Sequence, residues 1–201
     1  MLIDLHIHTR RGSRCSVLHT KDLVKQAKKM HLDAVCITDH NTAKAVERVR
    51  SIGKEQGLIV LGGMEVRCQE GDVLAFGLQE PPAHKITAKD LLEQVKRVGG
   101  ALIVAHPFRA SASSLGRKIF EVQGFDAIEV LNGNSTVEEN RMAQEAAQKL
   151  QLPGTGGSDA HSRNSVGKYV TEFDDDSIKS EQELIAALKS GRYRPKQLLE
   201  K

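Results

Sequence analysis

Residues 2–9 read L-I-D-L-H-I-H-T, an apolar run that ends in two histidines one residue apart, His6 and His8. Side chains of a β-strand alternate between its two faces, so residues two apart point to the same side. A His-x-His pair at a strand end therefore directs two imidazoles toward one point, as at the start of a metal site. The alternative is that the histidines merely finish the strand, and this short motif does not decide between the two by itself.

Size and composition indicate a soluble globular protein. The chain has 201 residues, of which 39% are hydrophobic and 27% charged, and a chain of this length buries roughly 70% of its unfolded surface in one domain. The net charge of +3 does not require a polyanionic partner. Aromatic residues make up only 3%, without Trp, so the stacking surface typical of single-stranded nucleic-acid binding is not indicated. A nucleic-acid partner is possible, but a small substrate is the expectation.

We expect a cytoplasmic protein that does not enter the membrane. No apolar run approaches the ~20 residues that span a bilayer, and the first residues lack the basic segment and long apolar core of a signal peptide. Cys15, Cys36 and Cys68 form no C-x-x-C pair, which excludes a disulfide framework. The sequence says nothing about the oligomeric state.

Short apolar runs alternate with helical periods along the whole chain. The predicted strands are Leu2–His6, Ala34–Thr38, Leu58–Met64, Val73–Leu78, Ala101–Ala105, Ala127–Leu131, Pro153–Gly156 and Lys168–Phe173. Helices between them have recognisable ends: the predicted N-caps are Thr20, Thr87, Thr136 and Ser180, and Gly191 ends the last helix. Alternating strands and helices predict an α/β fold with a parallel sheet. Since 201 residues are fewer than the ~250 of a typical eightfold barrel, we expect a single domain over 1–201 that forms a small or distorted barrel.

Groups that bind metals follow one predicted strand after another. In a parallel barrel all carboxyl ends of the strands open on one face, so these groups are expected to converge there. The candidate metal ligands are His6, His8, His40, Glu65, His106, Asp159 and His161. Unpaired buried charges are costly, and no packing role explains so many of them. The sequence therefore predicts a metal site.

Seven ligands are too many for one tetrahedral ion and suit a cluster of two or three. Imidazole and carboxylate without thiolate suit zinc, manganese or iron. Glu65 is the best candidate to bridge two ions, because a carboxylate has two oxygens to share. Clusters of this kind activate a bridging water and hold phosphate oxygens during displacement.

Five motifs occur in order along the chain: D-L-H-I-H-T (4–9), T-D-H-N (38–41), G-G-M-E (62–65), A-H-P-F-R (105–109) and G-S-D-A-H (157–161). In this series the chain resembles the PHP (polymerase and histidinol phosphatase) family. The resemblance implies a distorted seven-stranded β/α barrel of PHP type. It also implies a centre of two or three metal ions that hydrolyses a phosphate ester with a metal-bridging hydroxide.

Carried over by position, the resemblance implies three metal positions. The first has four ligands, His6, His8, Glu65 and Asp159; His106 and Glu65 serve the second; His40 and His161 serve the third. Two departures weaken the second and third positions. Many relatives have a His or Asp in the loop after the first motif, where this chain has R-R-G-S-R-C-S (10–16), and many have a His where this chain has E-G-D-V (70–73). Cys15 and Asp72 are possible replacements, with a buried packing thiol and a turn residue at the start of a strand as the alternatives.

Two further residues are predicted to be catalytic. Arg109, three residues past His106, is expected to hold the substrate phosphate with its guanidinium fork; a solvated loop arginine is the alternative. Asp39 either protonates the leaving oxygen or hydrogen-bonds a ligating imidazole and fixes its tautomer. His40 and His161 can donate that proton if the third metal is absent. Glu129 and Asn132 are expected to line the mouth of the site, which is the open face at the carboxyl ends of the strands.

The expected function is metal-dependent hydrolysis of a phosphate ester in a small phosphorylated substrate, a phosphomonoester or a nucleotide-type ester. One alternative is a regulatory or polymerase-associated PHP module that binds metal but has little activity. A second is a metal-dependent hydrolase of C–N or C–O bonds, which would use the same hydroxide on carbon.

Overall fold

The computed structural model describes residues 1–198, which form ten strands and five α-helices. The strands are β1 (Leu2–Ile7), β2 (Ala34–Ile37), β3 (Ile59–Gly62), β4 (Met64–Arg67), β5 (Asp72–Phe76), β6 (Ala101–Val104), β7 (Ala127–Asn132), β8 (Gly154–Gly157), β9 (Tyr169–Phe173) and β10 (Tyr193–Gln197). The helices are α1 (Thr20–Lys29), α2 (Val46–Glu55), α3 (Ala88–Arg97), α4 (Val137–Leu150) and α5 (Glu181–Ser190). No helix in residues 1–198 is long and apolar enough to cross a bilayer.

The α/β class is confirmed, but the strands pair in two five-stranded sheets. The orders are β10-β9-β1-β2-β3 and β4-β5-β6-β7-β8. The runs β1-β2-β3 and β6-β7-β8 are parallel, whereas β5, β9 and β10 are antiparallel to their neighbours. Within residues 1–198 regular pairing closes no barrel, so the seven-stranded barrel is not confirmed. Isolated bridges join the sheets at His40–Glu65 and Ile7–Ala160.

The run predicted as one strand, Leu58–Met64, is divided between the two sheets. β3 pairs with β2, and after Gly63 the chain continues as β4 and pairs with β5. A Cβ on Gly63 would lie 2.8 Å from the Phe76 ring, so only glycine allows this close approach. The bend brings Glu65 beside the end of β2.

The hydrophobic core has three parts. An inner cluster is shared by strands of both sheets and α5, and includes Leu5, Phe76 and Ile103. Two outer clusters lie where α1 and α2 cover the first sheet and where α3 and α4 cover the second. Helices on the outer faces leave the strand ends open for polar groups.

The predicted helix ends are confirmed except for Thr20. Thr87 and Ser180 accept hydrogen bonds as N-caps, and Thr136 forms a capping box with Glu139. Thr20 is instead the first residue of α1, and His19 holds the N-cap position without a side-chain hydrogen bond. The helix α2 and the edge strand β10 were missed by the sequence pattern.

Candidate metal centre

An irregularity near the end of β1 turns His6, and His8 directly after the strand, toward the site. Leu5 belongs to the inner core cluster, but Ile7 packs in the outer cluster under α1 and α2. Simple alternation would place both on one side, and the pairing of β1 with β2 is irregular between Asp4 and Ile7. His6 and His8 therefore share the side opposite Ile7, and both are fully buried.

Four side chains surround one point at the carboxyl ends of β1 and β8. The Nε2 atoms of His6 and His8 are 3.0 Å apart. Glu65 Oε2 lies 3.5 and 3.1 Å from these two nitrogens, and Asp159 Oδ1 lies 3.5 and 3.2 Å from them. Two ligand atoms ~2.0–2.1 Å from a shared ion at tetrahedral or octahedral angles are ~2.9–3.4 Å apart. The spacing is that of a coordination shell.

The Glu65 carboxylate shows independently whether these side chains suit a metal ion. Its Oε2 lies within 3.5 Å of ring nitrogens of His6, His8 and His40, yet it is buried and accepts no hydrogen bond within the described residues. A buried carboxylate oxygen without a hydrogen-bond partner costs free energy, and a cation satisfies it. The residues present therefore fit a divalent metal ion.

The other oxygen of Glu65 faces a second group of donors. Glu65 Oε1 lies 2.8 Å from His106 Nε2, and donor atoms of Glu65, Asp72 and His106 lie within 4.8 Å of one another. Asp72 begins β5 and is fully buried, and the Arg67 guanidinium contacts both of its oxygens, at 3.0 and 3.2 Å. Since β5 runs antiparallel to β4 and β6, its first residue lies at the site end of the sheet.

A third group lies toward the mouth. Donor atoms of His8, His40 and His161 lie within 4.8 Å of one another, and His40 and His161 are partly exposed. Cys15 Sγ lies 3.2 Å from His161 Nε2. The thiol is exposed, so the interpretation of Cys15 as a buried packing residue is wrong.

Glu129 fixes the tautomer of His6. Its Oε1 is 3.0 Å from His6 Nδ1, while its Oε2 accepts from the His106 backbone N–H and from Asn132 Nδ2, each at 2.9 Å. His6 Nδ1–H therefore donates to the carboxylate, and Nε2 is left to face the other donors. Glu129 and Asn132 are buried supports rather than lining of the mouth.

Ser13 and Asp39 together fix the tautomer of His8. Ser13 Oγ donates to Asp39 Oδ1 at 2.7 Å and lies 3.2 Å from His8 Nδ1. Because the hydroxyl hydrogen points to Asp39, Ser13 accepts from His8 Nδ1–H. No sequence motif indicated this role for Ser13.

The carboxylate of Asp39 is fully buried beneath the site. Besides the Ser13 hydroxyl it accepts from the Thr9 backbone N–H and the Thr9 hydroxyl, each at 2.7 Å. Both carboxylate oxygens of Asp39 therefore already accept hydrogen bonds. Of the two roles offered by the sequence, these contacts favour support of an imidazole over donation to a leaving group.

Arg109 contacts a candidate ligand. Its Nη1 donates to Asp159 Oδ2 at 2.5 Å, and its side chain is 23% exposed. Asp159 Oδ2 is held by this contact, and Oδ1 is directed toward His6 and His8.

The charges of the cluster shift the protonation of its members. Burial opposes protonation of His6, but the charges of Asp159, Glu129 and Glu65 outweigh it and hold its pKa well above the usual range. Burial also opposes protonation of His8, but the carboxylates of Asp159 and Glu65, 3.2 and 3.1 Å from its Nε2, raise its pKa to about 8. Burial and the charge of His8 lower the pKa of His161. Without a cation, protons on His6 and His8 balance the carboxylates.

Backbone strain is concentrated at the same place. His106 and Asp159 have positive φ angles of 29° and 49°, and Asn41, directly after His40, has 51°. Residues other than glycine rarely adopt such angles, and those that do cluster at functional sites.

Comparison with known proteins places these residues in a family. The profile of the PHP domain matches residues 4–128, and a PHP-associated profile matches residues 137–193. An uncharacterized protein of Methanocaldococcus jannaschii is 30% identical over 164 residues, which cover 74% of this chain and 95% of that protein.

Two solved structures share the fold. A two-domain protein of Bacteroides vulgatus, described as containing a predicted PHP-like metal-dependent phosphoesterase, has a TM-score of 0.76 at 19% identity. The match covers 98% of this chain but 64% of that protein, so this chain spans less than two thirds of its length. An amidohydrolase of Chromobacterium violaceum, solved with sulfate and no metal, has a TM-score of 0.70 at 17% identity, with 92% of this chain and 96% of that one covered.

Proposed function

The chain belongs to the PHP domain family, and from this we propose that it is a metal-dependent phosphoesterase acting on a small phosphorylated substrate. The observation that carries the proposal is the pair of Glu65 oxygens, each facing a different group of buried donors. One carboxylate between two donor groups suits a multinuclear centre.

We propose that His6, His8, Glu65 and Asp159 hold one ion and that Glu65, His106 and Asp72 hold a second. His40 and His161 would hold a third, giving two or three ions of zinc, manganese or iron. Bound divalent metals supply Lewis acidity, which lowers the pKa of a coordinated water and stabilises charge on phosphate oxygens.

The chain's own residues orient these groups. Glu129 and the Asp39–Ser13 pair keep the Nδ1 protons of His6 and His8 in place, so that both rings present Nε2. Arg109 holds Asp159 Oδ2, and its exposed part is placed to meet a phosphate oxygen at the mouth. Without an ion at the third position, His40 and His161 lie partly exposed beside the other donors, where either ring can pass a proton to the leaving oxygen.

We also propose that residues 1–201 act as one domain in the cytoplasm. Asp4 in β1 accepts hydrogen bonds from the backbone N–H groups of Ser158 and Gly167, at 2.9 Å each, and so ties the regions matched by the two profiles together. The three cysteines are free, as expected in a reducing compartment.

A substrate screen tests the proposed reaction. Protein loaded separately with manganese, zinc or iron is assayed against phosphomonoesters, phosphodiesters and matched carboxylic esters and amides, with His8→Ala as the control that lacks a ligand. We expect turnover of phosphate esters that His8→Ala abolishes. Turnover of amides or carboxylic esters alone would support a C–N or C–O hydrolase, and metal binding without turnover would support a regulatory module.

A further inference from the structure

A pocket lined by arginines lies between the loop that follows β1 and the first turns of α1 and α2. Its volume is about 310 Å³, and it is lined by Arg10, Arg11, Leu18, His19, Thr20 and Arg48. Of these six residues three carry a permanent positive charge and none is acidic. We call this the arginine pocket.

The arginines of this pocket have no counterions in the part of the chain that the structure describes. No carboxylate of residues 1–198 forms an ion pair with Arg10, Arg11 or Arg48. The acidic neighbour of Arg48 in sequence, Glu47, instead pairs with Arg50. Like charges gathered without a counterion repel one another, and an anion between them removes that cost.

Local contacts hold the pocket in shape. The Arg10 backbone N–H donates to the Leu18 carbonyl at 2.9 Å, which closes the loop and places Arg10 beside His19. Arg10 Nη1 then lies 3.1 Å from His19 Nε2. Since an arginine only donates, His19 Nε2 accepts this hydrogen bond and orients the guanidinium.

The residues of the arginine pocket follow the carboxyl ends of β1 and β2, the same strand ends that carry His8 and His40. Arg10 is two residues beyond His8, and two residues span at most ~7 Å of chain. Arg48 lies in the first turn of α2, the helix that follows His40 and the end of β2. A molecule whose phosphate reaches the donors can therefore extend into the pocket.

We propose that the arginine pocket is a second anion subsite, which takes a phosphate group of the substrate other than the one that is hydrolysed. The inference rests on the proposed function and narrows its substrate to esters with at least two phosphates. Guanidinium groups suit this ligand because their paired N–H groups match phosphate oxygens. The second phosphate can belong to a nucleoside or sugar bisphosphate or to the backbone of a short oligonucleotide, and both present the same group.

The first arm of the test measures binding without catalysis. Metal-free protein at ~0.15 M salt, where charges more than ~8 Å apart are largely screened, is titrated with inorganic phosphate by calorimetry. Arg48→Ala and Arg11→Ala should each weaken binding about tenfold or more. Arg14→Ala is the matched control, because Arg14 is an exposed arginine of the same loop that does not line the pocket. No binding by the wild type, or equal weakening by Arg14→Ala, would overturn the subsite.

The second arm compares substrates in the metal-loaded enzyme. We expect Arg48→Ala to lower the ratio of kcat/KM for a nucleoside bisphosphate or a short oligonucleotide to that for p-nitrophenyl phosphate by about tenfold. The substrate whose ratio falls identifies the source of the second phosphate. An unchanged ratio for both would overturn the subsite even if every ester is hydrolysed. If no phosphate ester is hydrolysed at all, the proposed function fails, and the phosphate titration still decides whether the pocket binds anions.

Discussion

The Nε2 atoms of His6 and His8 lie 3.0 Å apart inside the protein, and both rings are fully buried. Each ring is oriented from its other nitrogen, His6 by Glu129 and His8 by Ser13. Two imidazoles that present the same atom to one point need a positive charge there, because Glu65 and Asp159 face them from the other side. A proton or a metal ion can provide that charge, and the two differ in how they depend on pH.

We expect metal-free protein to lose stability as pH rises from 6.5 through 8, whereas metal-loaded protein does not. The folded-state pKa of His8, about 8, exceeds its ordinary value of 6.5, so its contribution is complete below pH 6.5 and is lost above pH 8. A shift of this size corresponds to roughly 2 kcal/mol, or about 4–8 °C in Tm. Thermal unfolding with chelator or with zinc between pH 6 and 9 checks this. If the Tm of metal-free protein and that of zinc-loaded protein changed equally with pH, this prediction would be contradicted.

Replacing Ser13 should weaken metal binding. Ser13→Ala removes the acceptor for His8 Nδ1–H and for the His40 backbone N–H, and it frees the His8 ring to take the wrong tautomer, which should cost about 10- to 100-fold in metal affinity. Ser16→Ala is the matched control, because Ser16 is buried in the same loop but its hydroxyl contacts only backbone groups: it donates to the His8 and His161 carbonyls and accepts from the Leu18 N–H. Chelator competition measures the affinities. If both variants lost metal affinity equally, the effect would come from the loop as a whole and not from the contacts of Ser13.

Arg109→Ala should lower turnover while the metals stay bound. The guanidinium contacts Asp159 Oδ2, but the oxygen directed at the histidines is Oδ1. Loss of a charge-assisted contact with phosphate should reduce kcat/KM by roughly 30- to 150-fold. Metal analysis accompanies the kinetics, with Arg117→Ala, on an exposed 3-10 helix, as control. Loss of metal from Arg109→Ala would mean that the arginine only supports Asp159.

Cys15 should be the one rapidly reacting thiol in native protein. Burial raises the pKa of Cys68 to about 12, that of Cys36 well above its usual range and, to a smaller extent, that of Cys15, but of the three thiols only Cys15 is exposed to a reagent. A thiol reagent at pH 8 should therefore modify one cysteine per chain quickly. Because Cys15 Sγ lies 3.2 Å from His161 Nε2, zinc at the third position should slow the modification. If Cys15 were modified at the same rate with and without zinc, zinc would not bind beside His161.

The sequence predicts the histidines of the site because they follow a simple rule. His6, His8, His40, His106 and His161 all lie at carboxyl ends of strands with parallel neighbours, and such ends meet on one face. Capping residues Thr136 and Ser180 were also predictable, because their partners are three residues away.

Residues that depend on strand direction or on distant partners escaped this rule. Asp72 is at the amino end of β5, and it reaches the site only because β5 is antiparallel to its neighbours. Ser13 acts through Asp39, 26 residues away in sequence. Glu129 did carry a signal, a carboxylate within the apolar run A-I-E-V-L (127–131), but its partner His6 is 123 residues away.

The metal content of reconstituted protein tests the central claim most directly. Elemental analysis after loading with zinc or manganese and removal of excess should give about two or three ions per chain. Glu65→Gln should lose more metal than Asp72→Asn, because Glu65 faces both groups of donors and Asp72 faces one. Less than one ion per wild-type chain, or full retention by Glu65→Gln, would contradict a centre built around Glu65.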